Sequence, residues 1–201
     1  HIGFCNLMPD AALEATERQW FRLIGESNRV AQIYIHPFTL PVFERGEDAT
    51  NHIKQYYENF DDLKSLGLDA IIVTGANEET NPHVSDVSTW KPLKELLEWS
   101  YENVTSTICS CLASHALMTY YHGQKPSWRD TKKWGVFSHF VKDRDHPLMR
   151  GMNTKFDVPH SRFSQINKSQ FKTAGMNILA EGDNENVHLA VSVDGFRQIC
   201  L

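Results

Sequence analysis

Short apolar runs, bounded by glycine, proline or polar clusters, alternate along this chain with segments whose apolar residues recur at helical spacing. Residues 1–7 read as a strand, Met8-Pro9-Asp10 as a turn, and Leu13, Thr16, Trp20, Leu23 and Ile24 as one face of a helix closed by Gly25. The next strand is predicted over 30–35, followed by a stretch broken by Pro37 and Pro41 and a polar helical segment over 52–59. Residues 69–76 are a continuous apolar run ending in a glycine turn, the pattern of a parallel strand covered on both faces. A polar loop over 77–88 leads to a helix over 92–99, a strand over 105–110 and a helix over 112–121 that stops at Gly123. This alternation predicts an α/β fold with a doubly wound, mostly parallel sheet. The remainder is richer in strands, expected over 135–141, 155–158, 177–181, 189–193 and 196–201.

A length of 201 residues suits one domain with a sizeable core, so 1–201 is read as a single unit. Both ends fall abruptly in strand-like sequence, and further segments are expected on either side. With 20 Lys+Arg against 25 Asp+Glu and no basic block, a nucleic-acid partner is disfavoured. No membrane-length apolar run or signal peptide is found in the sequence, and the cysteines at 5, 109, 111 and 200 lack a disulfide-scaffold spacing. A cytoplasmic location is the expectation.

Chemistry concentrates at Cys111, where the strand over 105–110 meets the following helix. A thiol on a strand-to-helix turn has its pKa lowered by the helix N-terminus, and the next backbone N–H, that of Leu112, can face a developing oxyanion. Cys109 and Ala113 supply the small residues that a crowded elbow needs two positions before and after the nucleophile. A backbone N–H near Gly75-Ala76, after the central strand, offers the second oxyanion donor, because ligand sites in open α/β sheets gather at the carboxyl ends of strands. Cys109-x-Cys111 with His115 lacks a fourth ligand and the usual zinc spacing, so no metal is expected. Pro159-His160-Ser161-Arg162, placed just after a strand, reads either as a carboxylate-binding cluster or as a solvated turn, and Lys132-Lys133 as a site or a wet surface.

Asn6-Leu7-Met8-Pro9, Ile72-Val73-Thr74-Gly75-Ala76, Leu97-Glu98-Trp99-Ser100, Val104-Thr105-Ser106-Thr107, Cys111 and Pro159-His160-Ser161-Arg162 occur in an order and at spacings that resemble the homoserine O-succinyltransferase/O-acetyltransferase family of methionine biosynthesis. The resemblance implies a class I glutamine amidotransferase-like (flavodoxin-like) fold and ping-pong acyl transfer from acyl-CoA through a Cys-His-Glu triad. It makes Cys111 the acyl-thioester nucleophile, Lys132 and Ser161 the contacts to the amino-acid substrate with His160 and Arg162 in support, and Glu79 the position linked to donor choice. The family's Gly-His-Pro-Glu motif is expected beyond Leu201. No permanently bound cofactor is implied; acetyl-CoA or succinyl-CoA is the co-substrate, L-homoserine the acceptor, and a homodimer the expected assembly.

The chain departs from the family pattern at Leu112, where Trp is frequent, at His115 in place of Gln, and at Asp10-Ala11-Ala12, where a lysine is common. A glutamate at position 79 facing a succinyl carboxylate would repel it, so acetyl-CoA is the expected donor. Serine as acceptor, glutamine amide hydrolysis on the same fold, and a non-catalytic binding protein are the alternatives. The Cys109-Ser110-Cys111-Leu112-Ala113 elbow speaks against amide hydrolysis, where Gly-x-Cys-x-Gly is typical.

Overall fold

The computed structural model of the chain describes residues 1–41, 43–76, 89–183, 186–194 and 196–201. At its centre β1 (Ile2–Cys5) pairs in parallel with β2 (Ile35–Phe38) on one side and β3 (Ala70–Val73) on the other. Beyond β3 come β4 (Ser106–Cys109) and β9 (Gln198–Cys200), again parallel. The register aligns Phe4, Ile72 and Ile108 in one row and Cys5, Val73, Cys109 and Cys200 in the next. Because successive side chains point to opposite faces, the two rows serve two cores.

On one face, α1 (Asp10–Ser27) covers the Phe4 row, with Phe21 edge-on to Phe4 at 5.5 Å and Ile24 buried beside them. The helix continues past Gly25, and Leu23, expected in the core, is 62% exposed. Trp20, Phe21 and Ile24 form the stripe that meets the sheet, and Leu23 falls outside it. The opposite face is covered by α3 (Phe60–Leu66), α4 (Trp90–Asn103) and α5 (Leu112–His122), whose Leu63, Leu93, Leu97, Ala113 and Leu117 pack on the Cys5 row. Gly123 closes α5 in the left-handed conformation, as the sequence predicted.

One strand is displaced from its expected place. Residues 30–34 are not a strand: Asn28 Oδ1 accepts from the N–H groups of Val30 and Ala31, and Val30 is 94% exposed. β2 instead contains Pro37, which is tolerated because β2 is the sheet edge and one side needs no ladder donor. The polar helical segment forms as α2 (Glu47–Tyr56) followed by α3.

The other half is antiparallel. β5 (Ser127–Val141) and β6 (Lys155–Gln165) form a long hairpin, while β7 (Asn177–Gly182) and β8 (Val187–Val191) connect it to β9, in the order β2-β1-β3-β4-β9-β8-β7-β5-β6. Only His139–Val141 of β5 pair with β7, so the rest of the hairpin is a two-stranded ribbon. Pro159-His160-Ser161-Arg162 lie inside β6, which corrects the expectation of a turn after a strand ending at Val158. Proline is accommodated because β6 is the other edge strand. Between Asn167 and α6 (Lys168–Thr173) a capping box closes the helix start.

Candidate active site

Cys111 sits between the last residue of β4 and the first turn of α5 with φ 53° and ψ −114°, the single non-glycine residue at positive φ among the described residues. A cysteine pays strain to stay there, and the surrounding hydrogen bonds hold it. Ser110 N–H donates to Val73 O (2.9 Å), Cys111 N–H to Leu201 O (3.0 Å), and His115 N–H to Cys111 O (3.1 Å). On the far side Leu201 N–H donates to Cys109 O (2.8 Å), and Ser114 Oγ donates to Cys109 O at 2.6 Å. The elbow is thus clamped by β3, β9 and its own helix.

Gly75 stands directly against this turn. A Cβ built there would lie 2.8 Å from Cys111 Cβ and 3.4 Å from Sγ, so only glycine lets the backbone after β3 approach the thiol this closely. Gly75 is therefore brought to Cys111, as the strand-edge argument expected. The Leu112 N–H at the start of α5 favours the ionised form of the thiol.

The thiol is pulled in two directions. Desolvation raises its pKa above the ordinary value, while the Leu112 N–H and the Arg162 guanidinium pull it down. Cys111 is exposed as a residue although its thiol is desolvated, whereas Cys5, Cys109 and Cys200 are wholly buried in the row beneath. Burial pushes the Cys5 and Cys109 thiols far up and that of Cys200 to about 12, so these three stay neutral and unreactive. His115 is buried one turn into α5 and its Nδ1 lies 3.3 Å from Ser164 Oγ of β6; burial, then Arg162, pushes its pKa down to about 4. It ties the helix to the ribbon as a neutral imidazole.

Strand alternation divides the remaining expected residues. In the β5–β6 register Lys133 opposes Arg162, Gly135 opposes His160 and Trp134 opposes Ser161. Arg162, His160 and Lys133 therefore share the inner face, and Ser161 stands on the outer one with Trp134. Lys132 Nζ lies over the Trp134 and Phe163 rings at 5.4 and 5.6 Å. Arg162 is the member whose charge reaches Cys111. Glu79 lies outside the described residues.

Beside His160 and Lys133 stand two groups that the sequence did not single out, His139 and His188. His160 Nε2 is 3.2 Å from His139 Nε2, and His139 Nδ1 is 2.9 Å from Phe137 O, so His139 donates to the carbonyl and accepts from His160. The His188 ring lies 5.3 Å from that of His139. Desolvation, reinforced by Arg162 and neighbouring groups, depresses His160 to about 3 and His188 to about 4. Lys133, 8% exposed, is lowered to about 8 by burial and by Arg162 and Arg129. The period-two pattern Lys133, Gly135, Phe137, His139 was the available signal.

The fold is shared with glutamine amidotransferases. The glutaminase domain of Trypanosoma brucei CTPS matches 100% of this chain and 83% of its own with a TM-score of 0.64 at 12% identity. A glutamine amidotransferase from Thermotoga maritima matches 100% and 74% with a TM-score of 0.58 at 8% identity. In sequence, the chain is 56% identical over 197 residues to a homoserine O-succinyltransferase of Nitrosococcus oceani, covering 98% of this chain and 55% of that protein. One from Allochromatium vinosum is 55% identical over 199 residues, 99% and 56% of the two chains. The chain thus spans a little over half the length of these curated relatives. The family model described as homoserine O-succinyltransferase matches residues 1–201. With every residue of the chain inside that match and half or more of them identical in these relatives, the chain belongs to the homoserine O-succinyltransferase family.

Proposed function

We propose that this chain carries the nucleophile-bearing part of an acyl-CoA:L-homoserine O-acyltransferase acting in methionine biosynthesis. The observation that carries the reading is the strained Cys111 elbow with Gly75 pressed against it. In the first half-reaction the Cys111 thiolate attacks the thioester carbonyl of acyl-CoA, the tetrahedral oxyanion faces backbone N–H groups of Leu112 and the Gly75-Ala76 segment, and CoA leaves as its thiol. In the second, the acceptor hydroxyl gives up its proton to a base, attacks the acyl-cysteine and regenerates the thiol. The base is assigned to the family's histidine, held by a glutamate, beyond Leu201. That placement is supported by the Cys111 N–H to Leu201 O bond, which sets Leu201 beside the nucleophile.

Arg162 is proposed to stabilise the thiolate, with His160 behind it on the inner face; the family resemblance supports Lys132 and Ser161, on the other face of the ribbon, as acceptor contacts. As donor we propose succinyl-CoA, because relatives at 50–56% identity are named succinyltransferases. This departs from the acetyl preference expected from Glu79. Incubation with succinyl-CoA and no acceptor should add one succinyl group to Cys111, read by intact mass and peptide mapping. Cys111→Ala should remove the adduct and lower turnover roughly 10⁴-fold, whereas Cys109→Ala should keep it. An adduct that survives in Cys111→Ala refutes the assignment, and a higher kcat/KM with acetyl-CoA refutes the donor.

A further inference from the structure

Only glycine at position 75 can lie this close to Cys111, and glycine brings a freedom that the site does not want. Without a Cβ the backbone rotates readily, so the peptide linking Gly75 to Ala76 could turn either its N–H or its carbonyl toward the thiol. The first arrangement offers an oxyanion donor, whereas the second points a carbonyl oxygen at the place where negative charge develops. The peptide has to be held one way.

Thr74 is placed to hold it. The residue is 2% exposed, and its Oγ1 accepts from the Leu7 N–H at 2.8 Å and donates to the Gly75 carbonyl at 3.1 Å. A hydroxyl has a single proton to give, and the bond accepted from Leu7 leaves that proton to Gly75. The Leu7 donor is itself fixed. Thr74 N–H donates to Cys5 O (3.0 Å), Asn6 N–H to Phe38 O (2.9 Å) and Thr39 Oγ1 to Asn6 O (2.8 Å), so the chain leaving β1 is tied to β3 on one side and to the end of β2 on the other. Asn6, fully buried, closes the turn: its Oδ1 accepts from Met8 N–H at 3.2 Å and its Nδ2 donates to Leu13 O at 3.0 Å.

We propose that Thr74 is a positioning residue for the oxyanion site. By anchoring the Gly75 carbonyl beside Leu7, its hydroxyl fixes the Gly75-Ala76 peptide so that the Ala76 N–H, which points opposite to the carbonyl in a planar trans peptide, is presented to the oxyanion formed on Cys111. The proposal rests on the acyl-transfer reading above. Thr74 acts through the peptide and not on the thiol, so its loss should slow the step that forms an oxyanion and spare a reaction of the same thiol that forms none.

Single-turnover acylation of Cys111 in the full-length protein tests it, with succinyl-CoA and p-nitrophenyl acetate as acyl donors and iodoacetamide as the reagent whose displacement of iodide passes through no oxyanion. Thr74→Val keeps the shape and removes the hydroxyl, and should slow acylation by both donors roughly 10²-fold. The half-saturating succinyl-CoA concentration and the alkylation rate should stay as in the wild type, and Thr74→Ser, which retains both hydrogen bonds, should restore acylation. Thr74→Ala serves as a second variant if the valine prevents folding, since the space it leaves admits water to the Leu7 N–H. Unimpaired acylation in the valine or alanine variant overturns the proposal. So does a parallel fall in acylation and alkylation, which would make Thr74 a support of the whole elbow, and so does a serine variant as slow as the valine. A wild type acylated by p-nitrophenyl acetate but never by succinyl-CoA, with the ester reaction still lost in Thr74→Val, would refute the acyltransferase reading and leave this one standing.

Discussion

The parallel half of the sheet and the β5–β6 ribbon present their reactive groups by opposite means. Around Cys111 the chemistry is made by backbone: a positive φ, a helix start and a glycine within contact, over three buried cysteines too desolvated to react. On the ribbon it is made by side chains, and the backbone only sorts them, sending His160 and Arg162 inward and Ser161 outward. A backbone-built site tolerates almost no added atom, whereas a side-chain-built site responds to charge and solvent. The two halves should therefore fail differently.

The largest effect is expected where backbone meets backbone. Gly75→Ala sets a Cβ 2.8 Å from Cys111 Cβ, an atom fixed to the backbone that cannot swing away. A displacement on the order of 1 Å in the catalytic geometry costs about 10²-fold in rate. Acylation of Cys111 should slow by that factor in rapid-quench mass spectrometry, and an unimpaired rate would separate Gly75 from the site.

On the ribbon, Arg162→Gln removes the cation that favours the Cys111 thiolate. The thiol's pKa, already raised by desolvation, should rise further, so the rate of alkylation by iodoacetamide at neutral pH should fall roughly tenfold for each unit. The wild-type rate should climb with pH beyond the ordinary thiol range, and the variant's profile should lie still higher. Superimposable profiles would show that Arg162 does not act on the thiol.

A smaller and more diffuse effect follows from the buried imidazoles. His115, His160 and His188 have folded-state pKa values of about 4, 3 and 4 against an ordinary 6.5. Above pH 6.5 both folded and unfolded states hold them neutral and they leave stability unchanged with pH. Below it the unfolded chain binds protons that the native fold refuses, so stability should decline from pH 6.5 toward 4, by on the order of 1 kcal/mol per imidazole. Thermal melts across that window check the slope, and His188→Phe should flatten it.

The smallest change belongs to the ribbon's outer face. Val136 is 68% exposed, and Val136→Thr should alter stability by less than about 0.5 kcal/mol in denaturant titration. A larger loss would mean that this face is covered in solution.

Apolar runs over 1–7, 69–76 and 105–110 announced the parallel core because strands buried on both faces leave an unbroken signal in one dimension. The elbow at Cys111 was equally legible, since a turn between a strand and a helix needs only local residues to define it. β2 was misplaced because an edge strand, half relieved of its ladder, can carry His36 and Pro37 and thereby lose its pattern. The fate of Pro159-His160-Ser161-Arg162 was hidden for a related reason: a proline at an edge mimics a turn, and pairing partners more than twenty residues away decide otherwise.

The sequence by itself thus determined the family, the α/β order and the place of Cys111 at a strand-to-helix elbow, all of which depend on residues close together along the chain. Tertiary structure alone decided that Gly75 touches Cys111, that Arg162 rather than its neighbour Ser161 turns toward the thiol side, and that Lys133 is buried among arginines. Those facts depend on the register between strands distant in sequence, and a shift of one residue there would send every one of those side chains to the other face.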